Sequence, residues 1–199
     1  MKVLIIGATG TIGSAVRQAF LSNTDADLTL FSRSAGRLSI DSSREKAISG
    51  NVIKSNDLDT AMKNQDVVFA ALSGNLPSMA EAIVDSMKRN NVKKIIFISS
   101  MGIYNEIPAR IGAGGNLNSN PVLKGYRKAA DIIEESGLNY TVIRPGWFTS
   151  GPVNYEITHK GEPFGGHDVS VASIADLVVK VSEDPNLYSE ESIGINTPE

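Results

Sequence analysis

Apolar residues follow two alternating patterns along this chain. Short, mostly apolar runs fit strands buried on both faces: VLII at 3–6, LTLF at 28–31, DVVFAAL at 66–72, KIIFI at 94–98 and TVI at 141–143. Between them, apolar positions fall three and four residues apart. Ile12, Ala15, Val16, Ala19 and Phe20 form one such stripe and Ala80, Ile83, Val84 and Met87 a second; Leu123, Tyr126, Ala129, Ala130 and Ile133 form a third and Ile174, Leu177, Val178 and Val181 a fourth. Each is the stripe of a helix packed along one side. Strand and helix alternate without internal repeats, which predicts one α/β domain over residues 1–199, a doubly wound parallel sheet.

Local punctuation supports this reading. Pro77 opens the second helix, Asn90-Asn91 closes it, and Gly137 ends a helix running from about Val122 to Ser136. Ser173-x-x-Asp176 reads as a capping box for the last helix, and Ile193–Asn196 as a last strand. Val52 and Ile53 suggest a third strand, while polar, weakly patterned Ser39–Gly50 suggests a short irregular helix. Segments 101–121 and 147–166 are too long for plain connectors and are expected to form substrate-side loops, the first a possible lid.

The order strand, glycine turn, helix recurs most sharply at the start, in KVLIIGATGTIG. Gly7, Gly10 and Gly13 each acquire a purpose there: a turn needing unusual φ, a backbone close to a pyrophosphate, and tight packing of helix on strand. The helix N-terminus that follows would face the phosphates. The plainer alternative is a tight turn with no ligand.

GATGTIG resembles the cofactor loop of the short-chain dehydrogenase/reductase superfamily, which has a Rossmann-like fold. NDLD at 56–59, IIFISSMGIY at 95–104, SGLNYTVIRPGWF at 136–148 and VSVASIADLV at 169–178 extend the likeness. Over nearly its whole length the chain is similar to the atypical, NmrA-like NAD(P)H-binding branch. The resemblance implies cofactor contacts from Gly7, Thr9, Gly10, Thr11, Ile12 and Gly13, and from Ser32 and Arg33. It also implies contacts from Asp57 and Leu58 at the adenine, from Ala71, Leu72, Ser73 and Ser99 at the strand exits, and from Pro145 and Gly146 near the nicotinamide. Asp57 reads equally well as a helix N-cap.

The end of the second strand selects between cofactors. An NAD site places an acid here for the ribose 2′-OH, whereas an NADP site needs a cation. Arg33, with Arg37 behind it and no acid before Asp41, favours NADP(H), with NAD(H) possible; the alternative is an ordinary solvated arginine.

Composition narrows the rest. A net charge of −3 and a pI near 5.5 argue against a nucleic-acid partner. The absence of cysteine excludes disulfides and thiolate catalysis, and with only His159 and His167 and no H-E-x-x-H pattern no metal site is expected. The N-terminus lacks the pattern of a secretion signal and no apolar run could span a bilayer, so a cytoplasmic location is expected, without a membrane partner. The oligomeric state is left open.

One expected piece is missing. Most of the superfamily uses a tyrosine proton donor with a lysine four residues later. Here the fourth residue after Tyr104 is Pro108, after Tyr126 Ala130, after Tyr140 Arg144, after Tyr155 His159 and after Tyr188 Ser192. Ser100, matching the family's catalytic serine, and Tyr126 remain as candidate catalytic residues, although Tyr126 also fits a purely structural place on its helix. The expectation is an NADPH-dependent oxidoreductase transferring hydride to a small quinone-, flavin- or carbonyl-type acceptor. The alternative is a non-catalytic NAD(P) sensor of the NmrA type, with a sugar-nucleotide epimerase a distant third.

Overall fold

A computed structural model describes residues 1–198. Along the chain come β1 (Lys2–Ile6), α1 (Thr11–Asn23), β2 (Asp27–Ser32), β3 (Glu45–Ser49), α2 (Ser55–Met62), β4 (Val67–Ala70), α3 (Leu76–Arg89) and β5 (Lys94–Ile98). Then follow α4 (Leu123–Glu134), β6 (Asn139–Pro145), β7 (Trp147–Thr149), β8 (Glu156–His159), β9 (Asp168–Ser170), α5 (Val171–Glu183) and β10 (Glu191–Asn196). The main sheet has the order β3-β2-β1-β4-β5-β6-β10-β8 and is parallel throughout except for β8, which runs antiparallel to β10 at the edge. β7 and β9 pair separately in parallel.

The period-two pleat sends successive side chains to opposite faces. Leu4 and Ile6 of β1 join Phe31, Leu58, Met62, Ile83 and Ile133 beneath α2, α3 and α4, whereas Val3 and Ile5 join Val16, Phe20, Ile174 and Val178 beneath α1 and α5. Both faces of the central strands are therefore covered, which is why they read as unbroken apolar runs. The chain direction across the sheet reverses between β1 and β4. Such a switch point is where open α/β sheets form a binding crevice outside the carboxyl ends of their strands.

The structure corrects several local expectations. Residues 39–50 hold a strand, β3, rather than a helix; it pairs with β2 in the register Leu28↔Glu45 to Ser32↔Ser49. The sequence pattern is faint because β3 is an edge strand whose first residue, Glu45, is a buried acid. Arg17 of α1 bonds that carboxylate at 2.6 and 2.8 Å and holds its pKa below the usual range. With β3 in place, Val52 and Ile53 form a turn instead of a strand, one buried and the other exposed. The last helix is capped by Ser170, whose hydroxyl accepts from Ser173 N at 3.0 Å, so Ser173-x-x-Asp176 is not its capping box. Asp57 is not an N-cap either. It lies in the first turn of α2, and its carboxylate accepts from Asn51 N at 3.0 Å. Arg144 and Pro145 end β6 as strand residues, and both β7 and β8 lie within the segment 147–166 expected to be loop. Among the described residues no helix is long and apolar enough to cross a membrane.

Candidate functional site

The crevice is built mainly from backbone. Gly7 sits at φ +87°, and a Cβ there would stand 2.1 Å from the carbonyl oxygen of Ala71. A Cβ on Gly13 would stand 2.1 Å from Gly7 O. Both glycines are thus required by the protein's own packing. Gly10 differs: its Cβ would meet only Gly7 O, at 3.3 Å, and the residue is exposed. It is the one glycine of the three whose missing side chain leaves room for something outside the protein. Gly10 is also the N-cap of α1 without a side-chain capping bond, and no acid lies in the first turn. The amides of Thr11, Ile12 and Gly13 therefore point, without intrahelical partners, toward an anion's place. A dinucleotide pyrophosphate fits this cradle.

At the end of β2 three hydroxyls gather: Thr9 Oγ1 donates to Ser32 Oγ at 3.2 Å, and Ser34 Oγ donates to Thr9 Oγ1 at 3.4 Å. Arg33 lies beside them, exposed and outside any ion pair among the described residues. Ala71, Leu72 and Ser73 leave β4 across the crevice. Asp57 and the buried Leu58 stand at the exit of β3, where Asp57 packs close to Gly50.

Next to this crevice opens a cleft of about 300 Å³. Ser99, Ser100 and Met101 form one wall, Val122, Leu123 and Tyr126 of the α4 entrance a second, and Pro145, Gly146, Trp147 and Phe148 a third. Ser99 is buried and its hydroxyl has no hydrogen-bond partner among the described residues, whereas Ser100 Oγ donates to Met101 O at 3.0 Å. Tyr126 both lines the cleft and packs half-buried on the core beneath α4. Trp147 and Phe148 are 64% and 50% exposed at the mouth, with Trp147 stacked on His167 at 6.2 Å between ring centroids. The residues named for this site therefore lie at or past the carboxyl ends of β1 to β6, in the last strand residues and the turns and helix starts that follow them.

The loops beside the cleft are packed rather than free. Met101, Ile107, Ile111 and Phe164 make a small core of their own, and Phe164 N donates to Glu106 O at 2.8 Å. Arg144, from the motif expected near the nicotinamide, turns its side chain away into this support: it is 1% exposed and paired with Glu106.

A tyrosine and a lysine do meet elsewhere. Lys180 Nζ donates to Tyr155 Oη at 3.1 Å, and Tyr155 donates to Asp176 at 2.8 Å. The 25-residue separation hid this pair from a search at helical spacing. Neither residue lines the cleft, and burial together with the Asp176 carboxylate raises the Tyr155 pKa, so the phenol is not tuned as a proton donor.

The family model described as "NAD(P)H-binding" matches residues 7–185. A short-chain dehydrogenase/reductase from Veillonella parvula, solved in complex with NADP, is similar at 28% identity and a TM-score of 0.91, over 99% of this chain and 94% of that one. The uncharacterized sugar epimerase YhfK of Bacillus subtilis is 30% identical over 170 residues, 76% of this chain and 74% of that protein. The NAD(P)H azoreductase of Xenophilus azovorans is 25% identical over 182 residues, 88% of this chain but 60% of that longer protein. The chain belongs to the NAD(P)H-binding family, within the short-chain dehydrogenase/reductase superfamily.

Proposed function

We propose that this member of the NAD(P)H-binding family is an NADPH-dependent oxidoreductase that reduces a small, flat, conjugated acceptor of the quinone or flavin type. The observation that carries the reading is the cleft beside the crevice. Its walls are apolar and aromatic, its side-chain polar groups are hydroxyls, one amide and the Trp147 indole N–H, and among the described residues no Lys, Arg, His, Asp or Glu lines it. Such a site offers no tuned general acid, whose help is worth typically 10² to 10⁴ in rate. An acceptor that needs its proton in the transition state, such as a simple ketone, is therefore penalised. An acceptor that spreads incoming charge over a conjugated system is not.

When bound, reduced nicotinamide supplies the hydride. The amides after Gly10 hold the pyrophosphate, Thr9, Ser32 and Arg33 hold a ribose 2′-phosphate, and Asp57 with Leu58 borders the adenine. The backbone at Pro145 and Gly146 carries the nicotinamide side, near Ala71, Leu72, Ser73 and Ser99. Ser100 and Tyr126 offer hydroxyls to the acceptor, and Trp147 with Phe148 gives its flat face a place to stack. A reductase among the relatives, the azoreductase, accords with this assignment.

The test follows NADPH and NADH absorbance with menadione, free flavin and cyclohexanone as acceptors. Turnover is expected with the first two and little with the ketone. NADPH should be preferred, and Arg33→Ala should weaken its binding by the roughly 1.5–3 kcal/mol of a charge-assisted contact, about one to two decades. Tight NADPH binding with no turnover would sink the enzyme and favour a sensor of cofactor state. Ketone reduction abolished by Tyr126→Phe would make that tyrosine the proton donor after all.

A further inference from the structure

We propose that Glu106 is a positioning residue for the acceptor: paired with Arg144 behind the cleft, it sets how the three walls stand relative to one another. The proposal rests on the oxidoreductase reading above. Neither residue lines the cleft, yet their side chains are only 5% and 1% exposed. A buried ion pair is a weak source of stability, because an apolar pair of similar volume commonly serves as well, so its placement calls for another explanation.

The contacts of Glu106 supply one. Its carboxylate accepts from Gly102 N at 3.0 Å, from Tyr104 N at 2.9 Å and from Arg144 Nη1, while its carbonyl accepts from Phe164 N. Gly102 directly follows Met101 of the first wall, and Arg144 directly precedes Pro145 of the third. The neighbouring Ile107 exchanges two 2.9 Å hydrogen bonds with the side chain of buried Asn116, which follows Gly115 and leads toward the α4 wall. One carboxylate thus ties the first and third walls from outside the cleft, and the residue after it, Ile107, ties the same loop toward the second. The first and third walls are otherwise joined where β5 and β6 leave the sheet, by Ser99 N to Ile143 O at 2.8 Å and Met101 N to Pro145 O at 3.2 Å. Arg144 depends on Glu106 in turn. Among the described residues its Nε has no hydrogen-bond partner, and its guanidinium otherwise donates to the Ser192 carbonyl at 3.4 Å and lies 5.1 Å from the centre of the Tyr104 ring.

Glu106→Gln in the full chain tests this, since the amide keeps the length and one acceptor while removing the charge. Expected are an NADPH affinity changed by less than about twofold, a menadione KM raised about tenfold with kcat changed much less, and menadione quenching of Trp147 weakened in step. Glu106→Gln/Arg144→Gln, which leaves no unpaired buried charge, should regain melting temperature while keeping the raised menadione KM, and it serves for all measurements should the single variant fail to fold. A lowered melting temperature with unchanged menadione affinity would overturn the proposal, as would equal weakening toward NADPH and menadione. If the wild type neither binds nor reduces menadione, the oxidoreductase reading is what fails. Tryptic cleavage after the exposed Arg110 then decides the geometry: acceleration in Glu106→Gln supports the anchoring of the wall, and an unchanged rate overturns it.

Discussion

The two halves of the site are made by different means. The cofactor half is backbone: Gly7 N donates to Phe31 O at 2.9 Å, Ala71 N to Ile6 O at 3.1 Å, and two of its three glycines are filled against by main-chain atoms. The half proposed for the acceptor is held by side chains that are distant in sequence, such as Arg144 and Glu106, 38 residues apart, or Phe164 among Met101, Ile107 and Ile111. A backbone cradle changes only when a glycine changes. A side-chain scaffold can be retuned one residue at a time, which suits a fold that keeps its cofactor while varying its acceptor.

The largest test of this division is Phe164→Ala. Phe164 has no exposed surface, fills the loop core, and its ring would lie 2.5 Å from a Cβ placed on Gly194 of β10. Removing a buried phenylalanine costs about 3–5 kcal/mol. Calorimetry should show the melting temperature falling by roughly 6–20 °C for a chain of this size. Acceptor affinity should fall as well, while the affinity of the folded protein for NADPH stays near that of the wild type. Parallel loss of cofactor binding would show that the two halves are one unit.

A smaller effect sharpens the cofactor half from within. Gly13→Ala forces a methyl against Gly7 O and should cost about 1–3 kcal/mol in stability, as overpacking does. Gly10→Val should leave the melting temperature of the free protein nearly unchanged and abolish the quenching of Trp147 by NADPH. Quenching that survives in Gly10→Val would mean that the glycine loop serves the turn alone.

That same division decided what could be read from the sequence. GATGTIG, the central strands and four helical stripes were legible because each is local: a run of apolar residues or a glycine triplet within one strand-turn-helix unit. β3 was not, because its pairing with β2 and the burial of Glu45 depend on Arg17, 28 residues earlier. Ser170 was missed as the cap since Ser173 presents the same local spelling three residues on. Trp147 and Phe148 were visible as residues after R-P-G, but the pairing of β7 with β9, which seats them at the mouth, links segments about 20 residues apart. Glu106 gave no signal at all. A lone acid in a glycine-rich loop looks solvated until the fold brings Arg144 to it.

Tyr104 gives the smallest and most specific test, because it joins the loop support to the sheet with a single ionisable group. Its hydroxyl donates to the Glu134 carboxylate and lies 3.2 Å from Ser192 Oγ, and the ammonium of Lys160 stands 4.4 Å from its ring. Burial, and then the bond to Glu134, raise the phenol pKa above its ordinary value. A raised pKa means that the neutral phenol is the form the folded state prefers. Its stabilising contribution is therefore complete below the unfolded tyrosine value near 10 and is lost as pH climbs from there toward the folded value. Burial raises Tyr140 and Tyr155 too, so alkaline destabilisation of the wild type is a sum over several groups. Tyr104→Phe isolates one share. It should lower stability by about 1 kcal/mol at neutral pH, the net worth of a hydrogen bond, or roughly 2–4 °C. Melting curves of the two proteins should then converge above pH 10, because the wild type loses there what the variant never had. A gap that stays constant across that range would mean that Tyr104 contributes its ring to the acceptor scaffold and its hydroxyl nothing.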